Sequence, residues 1–339
     1  MIGNKFSYAL VDTSFLLNRN LFVVTKDKEI NEMNPGDVVK LTLQTLNRLA
    51  RDWDISCDKI ILIGDEWNKD IGGYYRTQMI KDYIHYKGSR KFMTQEKLEE
   101  MKKDSNVTPE EIKAAERELA VNRIKYLSKQ IIKNELKNFG LPYFSYPGYE
   151  FDDIATMASF LLHGKTDKMN VIITKDSDLS YSLCPTCCQF LLPTRGSDPK
   201  IITYNDMYTT IPLELLSRGM SLYQYFSFLN SLGYSHNDTA KTVKPRLNPT
   251  EVILHILDDN YEDLTNIEAF KAQMNSFNLS NFPNLDKVQN MILNDFSTQG
   301  RISSSKDFMN FCKTCNIEDL SEHYYTDFVN RFDQKLFSK

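Results

Sequence analysis

Three short apolar runs, Tyr8–Val11, Lys59–Ile63 and Val171–Thr174, lack the apolar–polar alternation expected of a half-exposed strand. Continuous, β-branched stretches of this length fit strands buried on both faces, and the segments between them carry apolar residues at helical spacing. Together they predict an α/β fold built on a parallel sheet covered by helices. Leu141–Tyr146 predicts a further short strand before Pro147 and Gly148, and Cys188–Leu192 reads as another. A helix is expected from Pro109 to a stop at Gly140, with Thr108 as N-cap and Glu111 closing a capping box. A second helix opens near Glu150. From about Pro199 the pattern is largely helical: Met220–Leu232 carries an aromatic stripe of the kind that forms core, and Asn248, Pro249 and Glu251 open the next helix. The connection between these two carries Lys241, Lys244 and Arg246. Such a helix–loop–helix can grip a phosphate, because backbone N–H groups at the start of the second helix face the ligand.

Acidic residues mark the ends of the predicted strands. Asp12, Asp65 and Asp176 fall at the carboxyl ends of the three apolar runs, where ligands collect in parallel α/β sheets. Glu150, Asp152 and Asp153 sit at a predicted helix N-terminus, a place that favours negative charge through the helix dipole alone. Beside a second acidic pair, Asp176 and Asp178, that explanation falls short, because so many carboxylates repel one another unless a divalent cation sits among them.

The chain has 339 residues, enough for one large domain or two unequal ones, and a net charge of −4 that does not by itself announce a nucleic-acid binder. An acidic site and a basic track can cancel in the sum. Residues 76–91 are such a track, with Arg76, Lys81, Lys87, Arg90 and Lys91 against Asp82 alone, interleaved with Tyr83 and Tyr86. Two readings of it stand: a phosphate- and base-binding surface, or a solvated helix face with tyrosines packed beneath. The N-terminus has no secretory signal pattern and no apolar run reaches a bilayer-spanning length, so a cytoplasmic protein without membrane attachment is expected. Of six cysteines, two C-x-x-C pairs, Cys184/Cys187 and Cys312/Cys315, leave open a four-thiolate zinc site beside the plainer reading of reduced, half-buried thiols.

Taken in order, Val11-Asp12, Gly64-Asp65, Tyr86-Lys87-x-x-Arg90, Glu150-x-Asp152-Asp153 and Asp176-Ser177-Asp178 resemble the flap endonuclease or 5′-nuclease superfamily, and most of all its T-even bacteriophage ribonuclease H type. The resemblance implies a PIN-like, metal-dependent nuclease domain over 1–197 with a basic arch insertion at 73–139, and a helical DNA-binding region over 198–339 that carries the helix–loop–helix clamp. It implies a 5′ to 3′ exonuclease and flap endonuclease that removes RNA primers and short DNA flaps with two Mg²⁺ or Mn²⁺ ions. Asp12, Asp65, Glu150, Asp152 and Asp176 would hold the first ion, and Asp153, Asp178 and Asp238 would hold or orient the second. Arg76, Lys87 and Arg90 would stabilise the transition-state phosphate. Arg19, Tyr83 and Tyr86, with Lys241, Lys244 and Arg246 in the clamp, would bind DNA or an RNA–DNA duplex with a 5′ end or flap. Expected partners are a sliding clamp or single-strand-binding protein, with the enzyme a monomer in the host-cell cytoplasm. The sequence departs from the pattern at Ser235, where the family carries a carboxylate for the second ion. That substitution also motivates a second reading, a branched-DNA-binding protein with weakened catalysis.

Overall fold

The computed structural model describes residues 6–53, 55, 59–83, 93–136, 141–166, 168–176, 179–180, 183–191, 200–234, 241–297, 305–317 and 320. Six strands, β1 (Phe6–Asp12), β2 (Ile60–Ile63), β3 (Tyr143–Phe144), β4 (Met169–Thr174), β5 (Cys187–Leu191) and β6 (Lys200–Thr203), form a mostly parallel sheet in the order β3-β2-β1-β4-β5-β6. The register of β4 on β5 is parallel, with Asn170 opposite Cys187 and Thr174 opposite Leu191, whereas β6 closes the edge antiparallel, Thr203 facing Cys188. All four residues of β2 are buried, as an unalternating Ile-Ile-Leu-Ile run requires.

Helices α1 (Thr13–Thr25), α2 (Pro35–Trp53), α3 (Tyr75–Ile80), α4 (Gln95–Lys103), α5 (Pro109–Glu135) and α6 (Phe151–Leu162) precede β4. They are followed, beyond β6, by α7 (Tyr204–Tyr208), α8 (Leu213–Ser217), α9 (Leu222–Leu232), α10 (Pro249–Leu257), α11 (Ile267–Phe277), α12 (Leu285–Ser297) and α13 (Ser305–Thr314). The chain divides into two compact units, each assembled from separate stretches: residues 1–62, 91–143 and 298–339, and residues 63–90 and 144–297.

In the first unit α1, α2 and α5 pack on one another around Leu16, Leu17, Leu43, Leu46 and Ile132, with α4 laid on α5. The N-terminus of α5 is built as its sequence dictates. Thr108 accepts from the backbone of Glu111, and Glu111 in turn accepts from the Thr108 N–H at 2.8 Å. Farther along α5, Arg117 donates to the carbonyls of Thr25 and Lys28, at 2.5 and 2.8 Å, and so satisfies orphan acceptors where α1 ends.

In the second unit α11 packs on α3 and α9, α10 on α9, and α12 on α6. The aromatic stripe of α9 is core as expected, with Tyr225 and Phe228 buried and Phe228 set 6.2 Å from the Phe270 ring. A capping box of Ser221 and Gln224 starts α9, and Gly233, at φ 78°, ends it in the left-handed conformation that glycine adopts without strain. No helix among the described residues is long and apolar enough to cross a membrane.

Candidate metal centre

The acidic signatures of the second unit converge on the N-terminus of α6. Asp65, just past β2, accepts from the backbone N–H of Phe151 at 2.8 Å. Glu150 is the N-cap of α6, and Asp153 reaches back to accept from the Glu150 N–H at 3.1 Å, closing a capping box. Asp152 and Asp153 lie in the first turn, where the dipole favours them. Beyond β4 the chain turns so that the Asp176 N–H donates to the Thr174 hydroxyl at 3.2 Å, and the buried side chain of Gln189 on β5 donates to the Asp176 carbonyl.

Asp152 titrates well above the usual carboxylate range, first because burial strips it of water, then because Asp176, Glu150 and Asp153 all press negative charge on it. Arg76 opposes that shift from 3.8 Å. Asp152, Asp153, Glu150 and Asp176 thus lie close enough to act on one another, with the buried Arg76 guanidinium paired to the first two, and a divalent cation bound there would add positive charge to the set. Oxygen donors of this kind suit Mg²⁺ or Mn²⁺ rather than a thiolate-loving metal.

Among the described residues, no three of these carboxylates bring ligand atoms within 4.8 Å of one another. The trio that does meet this distance is His255, Glu262 and Asp263, on an exposed face beside the clamp. There His255 Nδ1 lies 2.7 Å from Asp263 Oδ2.

Arg76 occupies a different position from the one its sequence context suggests. The resemblance implies a cation that stabilises the transition-state phosphate, whereas the side chain is buried, hydrogen-bonded to the fully buried Asp153 and lying 5.3 Å over the Phe277 ring. The helix that carries Arg76, α3, packs against α11, which carries Phe277. Asp153 in turn has one oxygen on Arg76 and the other on the Glu150 backbone.

The segment entering the site is held by close aromatic packing. Tyr75 stands edge-on to Tyr149 at 5.3 Å, and its N–H donates to the Gly148 carbonyl at 2.9 Å. Gly148 has φ +88°, and a Cβ there would lie 2.5–2.9 Å from the Tyr75 ring, so only glycine fits. Gly148 also donates to the carbonyl of Glu66 at 2.8 Å, which ties the residue after Asp65 to the approach of α6.

Other expected site residues fall in several places. Asp12 ends β1 in the first unit and caps α1, accepting from Phe15 N–H at 2.9 Å. Arg19, in α1, is half-buried, and Tyr83 is 47% exposed. Lys241, Lys244 and Arg246 are all exposed on the connection between α9 and α10, as predicted. That connection is held by Lys244 N–H to the Asp263 carbonyl at 2.9 Å and Thr265 N–H to the Thr242 carbonyl at 2.8 Å, and Arg246 adopts a positive φ of 69°. Tyr86, Lys87, Arg90, Asp178, Ser235 and Asp238 lie outside the described residues. Cys184, Cys187, Cys312 and Cys315 are free and buried, and burial pushes the Cys187 and Cys315 thiols up.

With this geometry in place, comparison with solved structures is informative. The D15 protein of bacteriophage T5, co-crystallised with metal ions, superposes with a TM-score of 0.54 over 86% of this chain and 99% of its own, at 17% identity. The chain shares the fold of that protein. A second structure, the bacteriophage T5 D15 flap endonuclease in a pseudo-enzyme–product complex with DNA and metal ions, gives 0.53 at 16% identity with the same coverage. No protein-family model and no curated protein matches the sequence.

Sequence reasoning missed Gln189 and Trp67. Nothing in Cys187-Cys-Gln-Phe-Leu191 marks Gln189 as the partner of an acidic turn thirteen residues earlier. Trp67 follows Asp65 by two positions and is 56% exposed.

Proposed function

We propose that this protein is a structure-specific 5′ nuclease, a 5′ to 3′ exonuclease and flap endonuclease with ribonuclease H activity, that removes RNA primers and short DNA flaps in phage-type replication. The observation that carries this reading is the gathering of Glu150, Asp152, Asp153 and Asp176 at the N-terminus of α6, with Arg76 paired to two of them, on a 5′-nuclease fold. Bound there, a pair of Mg²⁺ or Mn²⁺ ions would lower the pKa of an attacking water and offset the charge on the departing oxygen.

In this reading Asp65, Glu150, Asp152 and Asp176, with Asp12, hold the first ion, several of them through water. Asp178 and Asp238 serve the second, with Asp153 acting indirectly by fixing Arg76 below the cluster. Lys87 and Arg90 meet the scissile phosphate, and Tyr83, Tyr86 and Arg19 contact the single-stranded 5′ segment. Lys241, Lys244 and Arg246 grip duplex phosphates without reading sequence. The working protein is a monomer, recruited by a sliding clamp or single-strand-binding protein.

The test is a 5′-labelled flap and an RNA-primed duplex, each incubated with Mg²⁺ or with EDTA. Metal-dependent release of short 5′ products supports the enzyme. Tight binding without products favours the second reading, a flap-binding protein whose catalysis is weakened at Ser235.

A further inference from the structure

We infer that Trp67 is a stacking platform for an unpaired nucleobase at the mouth of the acidic site, a specificity element that rests on the nuclease reading. Its backbone is pinned on both sides. Before it, Glu66 exchanges hydrogen bonds with the 148–149 segment, accepting from Gly148 at 2.8 Å and donating to the Tyr149 carbonyl at 3.1 Å. After it, Asn68 and Gly73 form a reciprocal backbone pair at 3.1 and 3.2 Å, the Asn68 side chain accepts from Asp70 N–H at 2.9 Å, and its amide reaches the Tyr75 hydroxyl at 3.3 Å. The indole stands edge-on to Tyr74, with centroids 5.6 Å apart and planes at 79°.

The loop is held by these backbone bonds, and the indole packs on Tyr74 by its edge while more than half of the residue's surface stays open. Trp67 is two residues from Asp65, at most about 7 Å of chain, so a base stacked on it belongs to a nucleotide at or next to the reacting phosphate. Every base has a π-face, so such a platform accepts single strands of any sequence, which is what a nuclease acting on flaps of arbitrary sequence requires. The neighbouring Lys69 is exposed and supplies a cation for the same strand.

The chain offers its own reporter, because it has two tryptophans and the other, Trp53, is 6% exposed against Phe6. The experiment titrates the wild type and Trp53→Phe with a fluorescein-labelled 5′-flap oligonucleotide in EDTA, reading anisotropy for binding and tryptophan emission for stacking. Trp67 emission is expected to be quenched in step with binding. Trp67→Ala is expected to weaken flap binding and raise KM about 5- to 150-fold, with kcat at saturation little changed, while Trp67→Phe retains most of the affinity. Binding without a change in emission, or Trp67→Ala with flap affinity and KM intact in an enzyme that still cleaves, overturns the inference and leaves the nuclease reading standing. A wild-type protein that neither binds nor cuts flaps overturns both.

Discussion

Replacing Arg76 by methionine isolates the ion pair on which the acidic site is built. The Arg76 and Asp153 side chains are 6% and 0% exposed, so the pair sits where water cannot take over the role of either partner. Truncating one member of a buried pair costs about 3–5 kcal/mol, because the remaining charge is stranded. At about 2–4 °C per kcal/mol for a unit of this size, the thermal midpoint in EDTA should fall by about 6–20 °C. Asp153→Asn added to Arg76→Met removes the stranded charge and still leaves an acceptor for the Glu150 N–H, so the double variant should recover most of the loss. The guanidinium also holds Asp152 down against its acidic neighbours. With it gone, millimolar Mg²⁺ should raise the midpoint of Arg76→Met more than that of the wild type, since ligand that binds only the folded state stabilises it by mass action. Thermal unfolding in EDTA and in Mg²⁺ decides the matter. A single variant within about 2 °C of wild type in EDTA, or one that Mg²⁺ helps no more than wild type, would refute the reasoning.

Three further outcomes are expected. Gln189→Met removes the donor to the Asp176 carbonyl together with a buried Oε1 that has no hydrogen-bond partner, so stability should change by no more than about 1 kcal/mol while the Mg²⁺ concentration for half-maximal cleavage rises; an unchanged metal dependence would dismiss Gln189 as a positioning residue. Gly148→Ala forces a Cβ against the Tyr75 ring at a positive φ and should lower both melting temperature and cleavage rate, whereas a variant that melts and cuts like wild type would mean that the ring gives way freely. His255 is raised above its usual range by its hydrogen bond to Asp263, with Glu262 and Glu251 adding to the shift. Because the folded value is the higher one, the pair's contribution is complete below the unfolded pKa of about 6.5 and is lost as pH rises through the folded value. An NMR titration of the His255 ring should therefore give a midpoint above 6.5 that Asp263→Asn lowers, and a midpoint at or below 6.5 would contradict the assignment.

Much of the sheet was legible because its inner strands are written as unbroken apolar runs. Tyr8–Val11 and Val171–Thr174 lie wholly within strands, Lys59–Ile63 enters one at Ile60, and Cys188 to Leu191 lies in β5. Leu141–Tyr146 shrank to the two residues of β3, where Pro142 offers no N–H to the ladder and only its carbonyl accepts, from Leu62. The edge strand β6 was hidden, since four residues beginning with an exposed lysine carry too little pattern to separate from the helices that follow. At the site, local grammar placed the acids correctly at strand ends and at the start of α6, because caps and dipoles act over a few residues. The destination of Arg76 could not be read this way. Its partner Asp153 is 77 positions away, and a basic stretch gives no sign of which of its cations will be drawn under the fold. Trp67 escaped for a similar reason, since exposure of an aromatic is a property of packing rather than of its neighbours in sequence.

On the proposed reading the carboxylates around α6 seat a divalent cation. Diffraction from crystals soaked in Mn²⁺, recorded at the manganese edge, tests it most directly. An anomalous peak is expected among Asp65, Glu150, Asp152 and Asp176, with water completing the coordination. Manganese found solely at His255, Glu262 and Asp263, or no peak beside α6, would contradict it.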